Sequence, residues 1–302
     1  MTRTLMTIGE CMVEMAPGED GRFAMGFAGD MFNSAWYARQ VAGDGLRVAF
    51  LSAIGDDAVS AEMERFIRAA GVEPLLSVVP GKSVGLYLIS LKDGERSFSY
   101  WRSDSAARRL TDGLDRLPGL MSGDWVLISG ITLAILDDDR RARLLGLLHE
   151  AKSRGVQIAL DPNIRPRLWT DAEEMRRQIM RKAALSDLVL PSFDDEAIHF
   201  GDATPEATLA RYRAAGAASV VVKNGAGPVV GSEGTSRTVT VHPPKIPAVV
   251  DTTAAGDAFN GGFLSAFMAG ASLTDSIQAG CDVAAQVIGA RGALVPVKRS
   301  RT

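Results

Sequence analysis

Cysteine is nearly absent from this 302-residue chain, and Cys11 and Cys281 provide neither a disulfide framework nor a four-ligand zinc site. Its three histidines, His149, His199 and His242, are far apart in sequence and form no metal-type spacing. There is no surplus of positive charge: 33 Lys and Arg stand against 36 Asp and Glu, for a formal net charge of −3. Nucleic acid is therefore not an expected partner, because a phosphate backbone is held by a basic excess. No run approaches the roughly 18 apolar residues of a membrane span, and the opening Met1 to Ile8 lacks the apolar stretch of a signal peptide. No Gly-x-x-x-x-Gly-Lys-Ser/Thr loop occurs, which excludes a P-loop nucleotide site. Internal repeats and low-complexity segments are also missing. These absences lead to the expectation of a soluble, cytoplasmic protein with no membrane partner. With 46% hydrophobic and 23% charged residues the composition is that of an ordinary globular chain. The length allows about two domains of roughly 150 residues, or one large α/β unit.

The chain reads in zones. Leu5 to Ile8 is a short apolar strand, followed by a Gly- and Pro-punctuated stretch to Gly29. Residues 33–72 predict a helix, a strand over Arg47 to Leu51, a turn at Gly55-Asp56-Asp57 and a second helix closed by Gly71, a residue suited to a C-terminal cap. Two strand-like runs, Ser83 to Leu91 and Arg96 to Trp101, flank Asp93-Gly94, which is a hairpin signal. Together with residues 11–30 this antiparallel ribbon is expected to stand apart from the main sheet. From Trp125 onward β-branched runs alternate with helices: Trp125 to Ser129, a helix over Asp138 to Arg154, Val156 to Leu160, Leu188 to Leu190, and Ser219 to Val222. Such runs indicate parallel strands covered on both faces. Ligands of such sheets sit at the carboxyl ends of the strands. The segments there are polar: Asp161-Pro162-Asn163-Ile164-Arg165, Ser192-Phe193-Asp194-Asp195-Glu196 and Lys223-Asn224-Gly225-Ala226-Gly227. The basic Lys298 to Arg301 tail reads as a solvated end.

Val249 to Phe263 is the most informative stretch. Ala254-Ala255-Gly256 carries almost no side chain, so backbone N–H groups can come close to a ligand. Phe259, Phe263 and Phe267 recur every four residues, marking a helix that starts at this bend. A helix N-terminus with bare amides is a ready anion site. Asp257 stands in the first turn, where a carboxylate beside a bound anion is awkward unless it takes a proton from an attacking hydroxyl. On composition alone, Asp257 reads equally well as a residue that complements the helix dipole.

This stretch resembles the second signature of the ribokinase-like (PfkB) carbohydrate kinase family, from Asp251 through Leu264. Gly29-Asp30-Met31-Phe32-Asn33-Ser34-Ala35 is similar to the family's first signature, and Gly55-Asp56-Asp57 to its Gly-Asp-Asp turn, with Ser60 in place of a frequent glycine. The resemblance spans Gly9 to Ala293. It implies a three-layer α/β fold with a mostly parallel central sheet and a small antiparallel β lid, the lid made by segments of about 11–30 and 83–104 inserted in one kinase domain. It implies Asp257 as catalytic base with Ala255 and Gly256 beside it, and Gly29 and Asn33 at the sugar. For the nucleotide it implies Asn163, Ser192, Lys223, Gly225, Gly227 and the turn from Ala254 to Gly256. ATP and Mg²⁺ are the implied cofactors, with a monovalent cation near Asp251 and Thr253. The family's Asn-x-x-Glu element is altered here, and only Glu196 and Asp195 stand as metal candidates, acting through water.

Within the family the chain most resembles kinases of 2-keto-3-deoxygluconate, through Gly9 to Glu14, Tyr100 to Asp104, Leu160 to Arg165 and Asp251 to Asp257. An acidic sugar fits the residues. Arg102 and Arg165 follow strand ends, and an Arg fork matches a carboxylate better than a hydroxyl. Either arginine also reads as a surface ion-pair residue. Tyr87 and Tyr100 lie on the ribbon, either to cover the sugar or to pack the strands. Asp194-Asp195-Glu196 equally reads as the acidic first turn of a helix. The alternatives are a kinase for a neutral ketose such as fructose or tagatose, and a non-catalytic sugar or nucleotide sensor. A homo-oligomer through the lid is expected, because a two-stranded ribbon is marginal alone.

Overall fold

The computed structural model describes residues 2–18, 20–92, 95–234 and 238–298. The predicted Asp93-Gly94 turn and the tail beyond Lys298 lie outside the described residues. In chain order the elements are β1 (Thr4–Ile8), β2 (Met12–Pro17), β3 (Phe23–Ala28), α1 (Asp30–Ala42), β4 (Arg47–Ile54), α2 (Ala58–Ala69), β5 (Glu73–Val78), β6 (Gly85–Lys92) and β7 (Glu95–Trp101). Then follow β8 (Trp125–Ser129), α3 (Gly130–Ile135), α4 (Asp138–Ser153), β9 (Gln157–Asp161), α5 (Ala172–Ala183), β10 (Leu188–Val189), α6 (Phe193–Phe200) and α7 (Pro205–Ala214). The chain ends with β11 (Ser219–Val222), β12 (Val229–Glu233), β13 (Val239–Val241), α8 (Ala255–Met268) and α9 (Leu273–Val287).

The main sheet has nine strands in the order β13-β12-β11-β10-β9-β8-β1-β4-β5. From β11 to β5 every neighbouring pair is parallel, and β12 and β13 add an antiparallel edge. Side chains alternate between two cores, as the two-residue period of a strand requires. Met6, Ile8, Val126, Ile128, Ile158 and Leu160 face one apolar cluster. Leu5, Phe50, Leu127, Ala159 and Val221 face the other, which also takes Phe259 and Phe263 of α8. The result is a sheet between two helical layers, the ribokinase-like arrangement expected. Chain direction across the sheet reverses at β1, between β8 and β4, and such a switch point opens a crevice at the carboxyl ends of the strands.

The phenylalanine stripe of α8 forms as expected, with Phe263 stacked between Phe259 and Phe267 at centroid distances of 6.0 and 5.3 Å. Glycine lets this helix sink between its neighbours. A Cβ on Gly261 would lie 2.7 Å from Cβ of Tyr37 on α1, and one on Gly262 would lie 2.8 Å from Cγ2 of Val283 on α9. That close packing fixes where the N-terminus of α8 points.

The second sheet has the order β3-β2-β6-β7. Its two hairpins, β2/β3 and β6/β7, are antiparallel, while the seam β2/β6 is parallel, so the ribbon is half of a four-stranded sheet. On its inner face Met12, Tyr87 and Ile89 pack with Ala293, and Ala254 lies against them. The lid thus rests beside the bend that opens α8. Among the described residues no helix is long and apolar enough to cross a membrane.

Candidate active site

The bend before α8 is held open by a backbone conformation unusual for alanine. Ala254 has φ +59°, in the left-handed region, and its carbonyl accepts from Ala258 N at 2.8 Å. No side chain caps the helix, and among the described residues the Gly256 and Asp257 amides have no hydrogen-bond partner. Those are the free donors that a helix N-terminus leaves for an anion. Asp251 fixes the bend from behind. Its Oδ1 accepts from Thr253 N at 3.0 Å and its Oδ2 from Gly292 N at 2.8 Å, tying the bend to the C-terminal loop.

Asp257 is partly accessible at the head of α8. Its Oδ2 accepts from Asn33 Nδ2 at 2.8 Å, and Asn33 Oδ1 in turn accepts from Gly29 N at 3.2 Å. A Cβ on Gly29 would lie 2.1 Å from the Glu10 carbonyl oxygen, so only glycine brings α1 this close to the loop after β1. Asn33 is thereby aimed at Asp257. Burial pushes the Asp257 carboxyl up to about 7, and the neighbouring Asp30 and Asp161 add to the rise, while Asn33 and Lys223 oppose it.

Lys223 reaches under this bend. Its Nζ donates to Asp161 Oδ2 at 2.8 Å and to Asn260 Oδ1 at 3.2 Å, and Asn260 Nδ2 donates to Asp161 Oδ2 at 2.6 Å. A Cβ on Gly256 would sit 3.6 Å from Nζ. Lys223, implied for the nucleotide, has its side chain buried behind the amides and committed to Asp161. Sequence reasoning passed over Asp161 and Asn260 as site residues. Asn260 carried a signal, since a buried asparagine inside a helix needs partners. Gly225 (φ +52°) and Gly227 form the exposed turn from β11 to β12 beside Lys223. Ser192 caps α6 without a side-chain bond and bridges Lys223 through the backbone.

The Asn163 backbone is left-handed at φ +33°. Its N–H donates to Asp161 Oδ1 at 3.0 Å, and its Nδ2 to Asp30 Oδ2 at 2.9 Å. Asn163 therefore joins β9 to the start of α1. Burial raises the Asp30 carboxyl as well, against a bond from Ser129 and the charge of Arg102. Asp30 was quoted in the first signature but not singled out.

Arg102 lies deep, with its side chain 10% exposed. It makes a close ion pair with Glu10, which is 1% exposed and also accepts from Ser105 Oγ. Nη2 of Arg102 carries that ion pair, while its Nε finds no acceptor. A Cβ on Gly85 would meet Glu10 Oε1 at 2.7 Å, so this glycine makes room for the pair. Arg165 is half exposed; Nη1 donates to its neighbour Ile164 O at 2.7 Å and stands 3.6 Å from Asp195. Tyr87 donates to Glu14 and is buried in the lid, which pushes its hydroxyl far up. Tyr100 is 51% exposed, its ring 5.9 Å from that of Tyr87.

Glu196 is corrected as a metal candidate. It is fully buried, with Oε2 accepting from Arg211 at 2.6 Å and Oε1 from the Tyr212 hydroxyl at 2.9 Å, so no oxygen is left for a cation. Asp195 retains an accessible carboxyl, raised by burial and drawn down by Arg165. Among the described residues no group of three His, Cys, Asp or Glu gathers to hold a metal. A cation here would keep several of its waters and use few protein oxygens, which the Asp195 carboxyl fits. A cavity of about 590 Å³ opens elsewhere, lined by Arg3 and Leu46, and contains none of these side chains.

Comparison with known proteins bears on family and fold. Residues 2–299 match the model of the pfkB family carbohydrate kinases. The chain is 38% identical to a 2-dehydro-3-deoxygluconokinase of Dickeya dadantii, covering 98% of each protein. It is 36% identical to the 2-dehydro-3-deoxygluconokinase of Escherichia coli, again over 98% of each. Its fold superimposes on a Vibrio cholerae fructokinase in a fructose-, ADP- and calcium-bound form, with a TM-score of 0.84 and 23% identity over 97% of this chain and 95% of that one.

Proposed function

The chain belongs to the pfkB family of carbohydrate kinases, and on that premise we propose that it phosphorylates the primary hydroxyl of 2-keto-3-deoxygluconate. The product is 2-keto-3-deoxy-6-phosphogluconate, with ATP as phosphoryl donor. The observation that carries the reading is Asp257, held by Asn33 at the head of a helix whose Gly256 and Asp257 amides are free.

Asn33 occupies Oδ2, leaving Oδ1 of Asp257 for the acceptor hydroxyl. The hydroxyl oxygen attacks the γ-phosphorus in line, its proton passes to Asp257, and the bond to the ADP oxygen breaks. The Gly256 and Asp257 amides, with Ala255, stabilise the charge on the travelling phosphoryl group, and Lys223 behind them adds a positive field. Asn163, Ser192, Gly225, Gly227 and Ala254 line the nucleotide side. Asp195 would hold Mg²⁺ through water, and the ion, when bound, would offset phosphate charge. A monovalent cation beside Asp251 and Thr253 would steady the same bend.

Arg102 and Arg165 are the carboxylate readers, and Gly29, Tyr87 and Tyr100 shape the sugar side. Support comes from the unpaired Nε of Arg102 and the half-exposed guanidinium of Arg165. The lid segments, part of a single kinase domain, exclude water during transfer. Phe23, Met25 and Trp101 leave an apolar outer face on the lid, each between 46% and 59% exposed, which a second copy of the chain covers. The two cysteines are free and buried, in keeping with a cytoplasmic enzyme.

The test is a panel of acceptors: 2-keto-3-deoxygluconate, fructose, ribose and adenosine. The acid sugar should show the highest kcat/KM. Faster turnover of fructose would turn the reading toward a neutral ketose kinase, and no phosphotransfer to any acceptor toward a sensor.

A further inference from the structure

Outside the cleft, α4 and α5 face one another across a cavity of about 340 Å³ that shares no residue with the site above. That volume lies within the range of small-molecule sites, roughly 300–1,000 Å³. The wall is built from one face of each helix, positions 138, 141, 142 and 145 on α4 and 174, 177, 178, 181 and 182 on α5.

Its charges do not cancel. Arg141 is fully used, with Nε on Leu133 O at 2.9 Å, Nη2 on Leu136 O at 2.7 Å and Nη1 on Asp138 at 2.7 Å. Arg177 pairs with Glu174, so each carboxylate in the cavity already has an arginine. Lys182 and Arg181 remain. Lys182 is 3% exposed, and its Nζ has no hydrogen-bond partner. Burial, with the charge of Arg181 beside it, pushes the Lys182 ammonium down to about 7. A buried cation without a partner is strongly unfavourable, and an anion from solution would relieve it.

We propose that the α4–α5 groove binds a small phosphate-bearing anion, gripped by Lys182 from the floor and Arg181 from the rim. With Lys182 protonated by the approach of the anion, it and Arg181 match the nearly two negative charges of a phosphate monoester better than the single charge of a carboxylate. The cavity exceeds a bare phosphate, and Leu133, Ala142 and Leu145 offer an apolar wall to an organic portion.

The test titrates inorganic phosphate and then glucose 6-phosphate into the full chain by calorimetry, with the nucleotide site filled by a non-hydrolysable ATP analogue. One site is expected, with glucose 6-phosphate at least as tight as phosphate. Lys182→Met and Arg181→Gln should each weaken binding about tenfold or more, while Asp257→Asn leaves it unchanged. Thermal unfolding verifies the variants, and Lys182→Met should hold or raise Tm, because it removes an unpaired buried charge. Three results would overturn the assignment: equal binding by wild type and both variants, binding abolished by Asp257→Asn, or no heat from either probe at tens of millimolar. Tighter binding of bare phosphate would overturn the role given to the apolar wall.

Discussion

Around Asp257 the polar side chains are spent on one another, whereas around Arg102 they are not. At the phosphoryl end Asn33 holds Asp257, Asp161 takes both Lys223 and Asn260, and Asp251 locks the bend through two amides. At the sugar-acid end Glu10 takes Nη2 of Arg102 but leaves Nε without an acceptor, and Arg165 stays half exposed. The contrast follows from the task of each end. Charge that develops only at the transition state is stabilised best by groups already fixed in place, which need no reorganisation as the reaction proceeds. A carboxylate that must enter and leave needs donors not yet filled.

The strongest way to break this comparison is Asp257→Asn. The amide keeps the shape and can still meet Asn33, but it accepts no proton. A kcat loss of roughly 10²- to 10⁴-fold is expected, with KM for the acid sugar changed little. Unaltered phosphotransfer would move the base elsewhere. The pH dependence sharpens the point. With the carboxyl raised to about 7, wild-type kcat/KM should fall as pH drops through that region, because the protonated form is no base. Stability runs the other way. A folded-state pKa above the unfolded one contributes stability at low pH that is lost as pH rises through about 7. Asp257→Asn should therefore raise Tm relative to wild type at pH above that value. A flat rate profile together with an unchanged Tm would show an ordinary solvated carboxylate.

The next test addresses the sugar-acid end. Arg102→Ala should lower kcat/KM for 2-keto-3-deoxygluconate by about 10- to 100-fold, the worth of a charged hydrogen bond or two. Because the change also strands Glu10 in the interior, Tm should fall. The deciding readout is the ratio of acid sugar to fructose, which a general loss of folded protein does not move. An unaltered ratio would detach Arg102 from the carboxylate.

What was readable in the sequence divides along the same line. Asp257, the bend before it and the phenylalanine stripe lie within one stretch, so helical period and side-chain size were enough to find them. The lid hairpin and the strands β1, β4, β8 and β9 were legible for the same local reason. Partners distant in the chain were not. Lys223 meets Asp161 across 62 residues, and Asn260 meets Asp161 across 99. No periodicity records such a meeting. Glu196 shows the converse: an acidic run at a helix start reads as a metal site, yet Arg211 and Tyr212 of α7 claim this carboxylate. The antiparallel edge passed unnoticed because Gly231, Ser232 and Glu233 break the apolar run of β12, and the three residues of β13 are too few for a pattern to emerge.

Glu10 supplies the smallest expected change in rate and the finest test of the contrast. Glu10→Gln keeps the bond from Ser105 and the packing against Gly85, but removes the charge facing Arg102. The free protein is then left with a nearly buried guanidinium lacking a counter-ion, and stability should fall by about 1–3 kcal/mol. The acid sugar brings a carboxylate of its own. If Arg102 receives it, the ligand restores part of what the substitution removed, and the Tm increase produced by 2-keto-3-deoxygluconate should be larger in the variant than in wild type. Fructose, which has no carboxylate, should raise Tm equally in both. Equal increases with the acid sugar would mean that Glu10 and Arg102 form a closed structural pair, and that the donor left unfilled there serves no ligand.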